Sequence, residues 1–164
     1  MFEEISRSGP PGIHVSSREV KEVEQTLGIK FPLGFEEFLV QLGVGTYAGV
    51  LAIFGPQLIL NRIPADRQRW AGSFYWDNPE LLSQPELAHC VTIAETMEGD
   101  QIVVTSRSPE HVYVLPRHHW MIHQLPADFR QILRWVTHSG VLYVLEPTQE
   151  LSFIGFTDPG DSRI

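Results

Sequence analysis

From Ser16 onward the hydrophobic pattern changes period twice. Ser16 followed by Glu19 has the spacing of a capping box, and Val20, Val23 and Leu27 share one helical face, which predicts a first helix over Ser17–Leu27. Gly28 can end it by taking the left-handed conformation. Ile29 and Phe31 then lead into Pro32, a residue that disfavours helix in the position before it yet suits a first turn. A second helix follows, with Phe35, Phe38, Leu39 and Leu42 at spacings i, i+3, i+4 and i+7 and with Glu36, Glu37 and Gln41 turned elsewhere.

Beyond this helix the period shortens to that of strands. Residues 50–54, 57–60, 90–94, 101–105, 112–115 and 120–124 are rich in β-favouring types and predict a mainly antiparallel sheet. Residues 62–89 hold Pro64, Pro79 and Pro85 together with Trp70, Phe74, Tyr75 and Trp76, and read as an excursion from the sheet with one or two short helical turns. Leu125, Phe129, Ile132, Leu133 and Val136 build a third helical face, which Gly140 can close. The runs VLYVL and LSFIGF in 141–164 read as an added hairpin, and 1–14, with SGPPG, as a mobile or surface-draped arm. Two helices, a run of strands and a closing helix argue for an α+β fold. A single domain over 1–164 is expected, with its core in 15–140 and a C-terminal extension in 141–164.

Composition narrows the function classes. No apolar run approaches the ~20 residues needed to cross a bilayer, and MFEEISRSGPPG lacks the apolar block of a secretory signal, so a soluble cytoplasmic protein without a membrane partner is expected. Cys90 is the only cysteine, which excludes an intrachain disulfide; in HCVTIA it reads as a core thiol rather than a nucleophile. The net charge of −8 would repel phosphate backbones and makes a basic protein a more natural partner than nucleic acid.

Catalytic signatures are weak. GVGTYA at 43–48 has a GxGxxA spelling, but it follows a helix and precedes a strand, the reverse of a dinucleotide loop. There is no P-loop lysine motif and no GxSxG elbow. RHHWMIH groups His118, His119 and His123, yet it lacks the HExxH or paired cysteines that would complete a zinc site, so a rim histidine cluster is the preferred reading. No cofactor is expected. ETMEGDQIVV places Glu95, Glu98 and Asp100 around Gly99 at a turn between strands. Two of these carboxylates could exchange protons and three could hold a hard cation, but a rigid acidic turn also suits recognition of a cationic protein. Trp70, Tyr75 and Trp76 are candidate interface anchors, and Arg62, Arg67 and Arg69 form a modest basic patch.

The order of the short motifs resembles the SUKH superfamily, which includes SMI/KNR-type cell-wall synthesis regulators and many bacterial immunity proteins. The matching residues are Glu24, Leu27, Gly28, Ile29, Phe31, Pro32, Phe35, Phe38 and Leu39, then the Gly99–Asp100 step before a strand, then Phe129, Ile132 and Leu133. Gly43, Val44 and Gly45 depart from the family's Asn-Gly-Gly, and the resemblance covers about residues 15–140. It implies two N-terminal helices packed on a mainly antiparallel sheet with a C-terminal helix, no catalysis, and a protein partner such as a basic nuclease-type toxin. A regulatory or scaffold role is the alternative within the same family. The contact residues expected on this basis are Glu95, Glu98 and Asp100, with Trp70, Tyr75 and Trp76 as anchors.

Overall fold

The computed structural model describes residues 2–9, 11–72, 79–146 and 149–157. The chain is α+β. Its order is β1 (Ser6–Ser8), α1 (Ser17–Leu27), α2 (Phe35–Leu42), β2 (Gly45–Tyr47), β3 (Leu51–Ile53), α3 (Pro56–Gly72), a 3-10 helix (Gln84–His89), β4 (Cys90–Thr96), β5 (Gln101–Thr105), β6 (His111–Leu115), β7 (His123–Pro126), α4 (Phe129–His138) and β8 (Ser152–Gly155). The strands form one sheet in the order β1-β8-β2-β3-β4-β5-β6-β7, antiparallel except for the parallel β1–β8 pair.

The opening helices follow the sequence closely. Ser16 and Glu19 exchange the bonds of a capping box, and Gly28 ends α1 in the left-handed region. The carboxylate of Glu24 then accepts the Phe31 N–H at 2.8 Å, which fixes the link that carries Pro32. Leu33 bridges to the residue before α4: its N–H donates to the Ala127 carbonyl and its carbonyl accepts from Phe129. The two helices therefore start side by side. Phe35 and Phe38 meet Phe129 edge-on at 4.9 and 5.2 Å, and Phe38 also touches the rings of Phe2 and Phe153. With Val91, Ile102, Val104, Val112 and Val114 from one face of the sheet, these rings form the larger apolar cluster.

The opposite face carries a smaller cluster in which Trp70 of α3 and Leu87 of the 3-10 helix cover Cys90, Val103, Tyr113 and Leu115. Residues 57–60, expected as a strand, lie in α3 and correct the reading of 62–89 as a mere excursion. Local β propensity gives way here to packing, because the buried positions of this helix are Ile59, Asp66 and Trp70. One of those three is an acid, so the helix shows little apolar periodicity, and Pro64 inside it disguises it further.

Two more expectations change, and the rejection of a dinucleotide loop stands. The described part of the N-terminal arm is docked: Phe2 is 1 % exposed, its N–H donates to Gln41 Oε1, and β1 pairs with β8. Among its described residues the C-terminal extension supplies one strand, β8, inserted between β1 and β2, rather than a hairpin of its own. GVGTYA contains β2, where a Cβ on Gly45 would lie 2.2 Å from the Ile154 carbonyl oxygen; its glycine admits a neighbouring strand, not a phosphate.

Candidate functional site

Glu95, on β4, points toward α3 and is 6 % exposed. Arg62 holds its carboxylate and also reaches Asp66 Oδ1 at 3.4 Å, while its guanidinium lies 4.7 Å from the Phe54 ring centroid. Asp66 accepts from Thr92 Oγ1 at 2.8 Å and from Gln101 Nε2 at 2.9 Å, and Gln101 Oε1 accepts from Trp70 Nε1 at 2.8 Å. This chain of bonds fastens α3 to β4 and β5. Among the described residues no side-chain polar atom that is itself sealed from solvent lacks a partner, which is what burial of so many polar groups demands. Burial pushes the Glu95 carboxyl above its ordinary value, against the opposing pull of Arg62 and Arg69.

Asp100 is buried as well, and it braces two loops. Its Oδ2 accepts from Thr96 Oγ1 at 2.6 Å, closing the β4–β5 turn, and its Oδ1 accepts from the Arg117 N–H at 2.8 Å, tying that turn to the β6–β7 connection. Gly99 has φ +89, and a Cβ there would meet the Arg117 side chain at 2.9 Å. The glycine of the Gly-Asp step is thus required by a left-handed turn with the Arg117 side chain laid across it. Arg69 approaches the same place, donating to the Gly99 carbonyl at 3.5 Å.

The braced loops present large side chains to solvent. Met97 is 52 % exposed, Trp120 63 % and Met121 52 %, and Glu98, Arg117, His118 and His119 are exposed around them. Because Gln101 pairs with Leu115 and Val114 with His123, both loops leave the same end of the sheet. The three histidines separate: His118 and His119 face solvent, whereas His123 is half-buried with its ring 5.2 Å from Trp135. Burial, then the neighbouring His119, pushes the His123 imidazole below its ordinary value. Among the described residues no three His, Cys, Asp or Glu side chains gather as a metal site would require.

Of the six expected contact residues, Glu98 is the one exposed among those described. Glu95 and Asp100 are occupied internally, Trp70 is buried with its indole N–H bonded to Gln101, and Tyr75 and Trp76 lie outside the described residues. Met97, Trp120 and Met121 were not singled out from the sequence. The available signal was the Trp-Met pair within RHHWMIH, two large apolar side chains in an otherwise polar run after Pro116.

No family model, curated protein or solved structure matches the chain. No helix among the described residues is long and apolar enough to cross a membrane.

Proposed function

We propose that the chain is a protein-binding domain of the immunity type, which neutralises a toxin-like protein of net positive charge by covering its surface with the sheet end at 97–100 and 117–121. The observation that carries this reading is the exposure of Met97, Trp120 and Met121 on two loops held together through Asp100. Tryptophan, methionine and arginine are over-represented at the centres of protein interfaces, and anchors already held in place lose little freedom on binding. The net charge of −8 adds long-range attraction for a cationic partner and speeds encounter. In this reading Glu98 is a rim charge, Glu95 and Asp100 support the surface from behind, and Trp120 and Met121 take the anchoring role first assigned to Trp70. The protein acts in the cytoplasm and makes or breaks no covalent bond.

Co-expression with the product of the adjacent gene tests the proposal. Relief of that product's growth inhibition, together with a purified complex, is expected. Trp120→Ala should weaken the complex at least about tenfold, as loss of a central aromatic anchor does. Glu98→Gln should act mainly on association rate and its salt dependence. Absence of growth relief with the wild-type chain sinks the immunity role, and binding undiminished in a Trp120→Ala, Met121→Ala double variant removes this surface from it.

A further inference from the structure

A separate cleft of about 380 Å³ opens between the N-terminal segment, β2 and α4. Its volume falls in the range of small-molecule sites. Phe2, Ile5, Leu133 and Leu151 supply apolar wall, and Arg130, Arg134 and His138 come from successive turns along one side of α4. Arg130 is already engaged, with Glu4 at 3.4 Å and the Phe2 ring centroid at 5.1 Å. Arg134 has no acidic partner among the described residues. Tyr47 also lines the cleft; it is 6 % exposed, and its hydroxyl has no hydrogen-bond partner among the described residues. Burial, with Glu4 second, pushes its phenol above the ordinary value, so it remains a donor at neutral pH.

The geometry points to a binding site for a small amphipathic carboxylate, its apolar body on Leu133 and Leu151 and its two oxygens shared between the Arg134 guanidinium and the Tyr47 hydroxyl. One unengaged cation and one neutral donor match a single negative charge. Glu4, on the same rim, opposes a dianion such as phosphate. The apolar wall favours a ligand with a hydrocarbon body over a free small anion. None of these residues belongs to the 97–100 and 117–121 loops proposed to bind protein, so the two readings stand or fall separately.

Titration of the full chain with sodium octanoate, followed by amide resonances, tests the site, with 1-octanol and inorganic phosphate as comparison ligands. Saturable one-to-one binding is expected, with the shifts confined to residues around Tyr47, Leu133, Arg134 and Leu151. Arg134→Gln changes an exposed helix position and should leave the fold intact while weakening octanoate about tenfold, the usual effect of removing one charge-assisted hydrogen bond. Tyr47→Phe should weaken it less. The proposal is overturned if octanoate causes no saturable shift at these positions, if octanol or phosphate binds as tightly, or if Arg134→Gln leaves the affinity unchanged.

Discussion

The two faces of the sheet solve the same packing problem with different chemistry. On one, α2, α4, β8 and the N-terminal arm bring phenylalanines from distant parts of the chain into edge-on contact, with valines and isoleucines beneath them. On the other, α3 is fastened by Arg62, Asp66 and Trp70 to Thr92, Glu95 and Gln101, with apolar side chains gathered at one end. Apolar packing is non-directional and tolerates adjustment. A polar layer works only when every donor meets its acceptor, so it fixes the position of α3 on the strands more narrowly than apolar contact alone would. The difference bears on function, because the end of this layer is continuous with the turn that Asp100 braces.

The largest expected effect lies on the apolar face. Phe38→Ala removes a fully buried ring that touches Phe2, Phe129 and Phe153, and should cost about 3–5 kcal/mol in urea unfolding. Asp66→Ala leaves Thr92, Gln101 and Arg62 without their common acceptor and should cost about 3 kcal/mol, whereas Asp66→Asn, which retains a carbonyl oxygen, should cost less. Equal losses for the two Asp66 variants would mean that volume, and not hydrogen bonding, holds α3 in place.

Acid titration sharpens the contrast further. Burial raises the Glu95 carboxyl above its ordinary 4.5, so its contribution to stability is present below that pH and is lost as pH rises through the folded value. Hydrogen bonds from Ser16 and Ser83 lower Glu19 and Glu86, whose contributions are present above 4.5 and are lost as pH falls. The stability difference between wild type and Glu95→Gln should therefore decline from acid toward neutral pH, and that for Glu19→Gln should grow, both measured by denaturant unfolding across the range. Trp120→Ala should change stability by no more than about 0.5 kcal/mol, since the ring is mostly in solvent. The Cys90 thiol, pushed up to about 12 by burial, should resist iodoacetamide until the chain unfolds.

The same contrast explains which parts were legible in the sequence. Helices α1, α2 and α4 bury apolar residues at helical spacing, so their pattern and their structure coincide, except that Leu125, read into the closing helix, lies on β7. Helix α3 was hidden because Asp66 is one of its inward residues, and an acid counts as polar in any periodicity until its partners are known. Those partners, Thr92 and Gln101, lie 26 and 35 residues further on. The acidic turn was located correctly, but the direction of each carboxylate was not readable: Glu95 lies on the strand, Asp100 folds back onto Thr96, and Glu98 alone of the three reaches solvent. Docking of the arm through Phe2 depends on a pocket assembled from α2 and α4, which no local pattern reports.

The parallel pair at the sheet edge has a consequence for how the protein is made. Among the described residues Ser6–Ser8 has β8 as its one neighbour, so this strand stays unpartnered until residues 152–155 have emerged from the ribosome. Those residues must then slot in beside Gly45–Tyr47, which has been waiting with an open edge of its own. Closure of this side of the sheet is therefore a late, long-range event during synthesis, of the kind that sets the pace of folding and leaves the nascent chain dependent on protection from stray strand pairing.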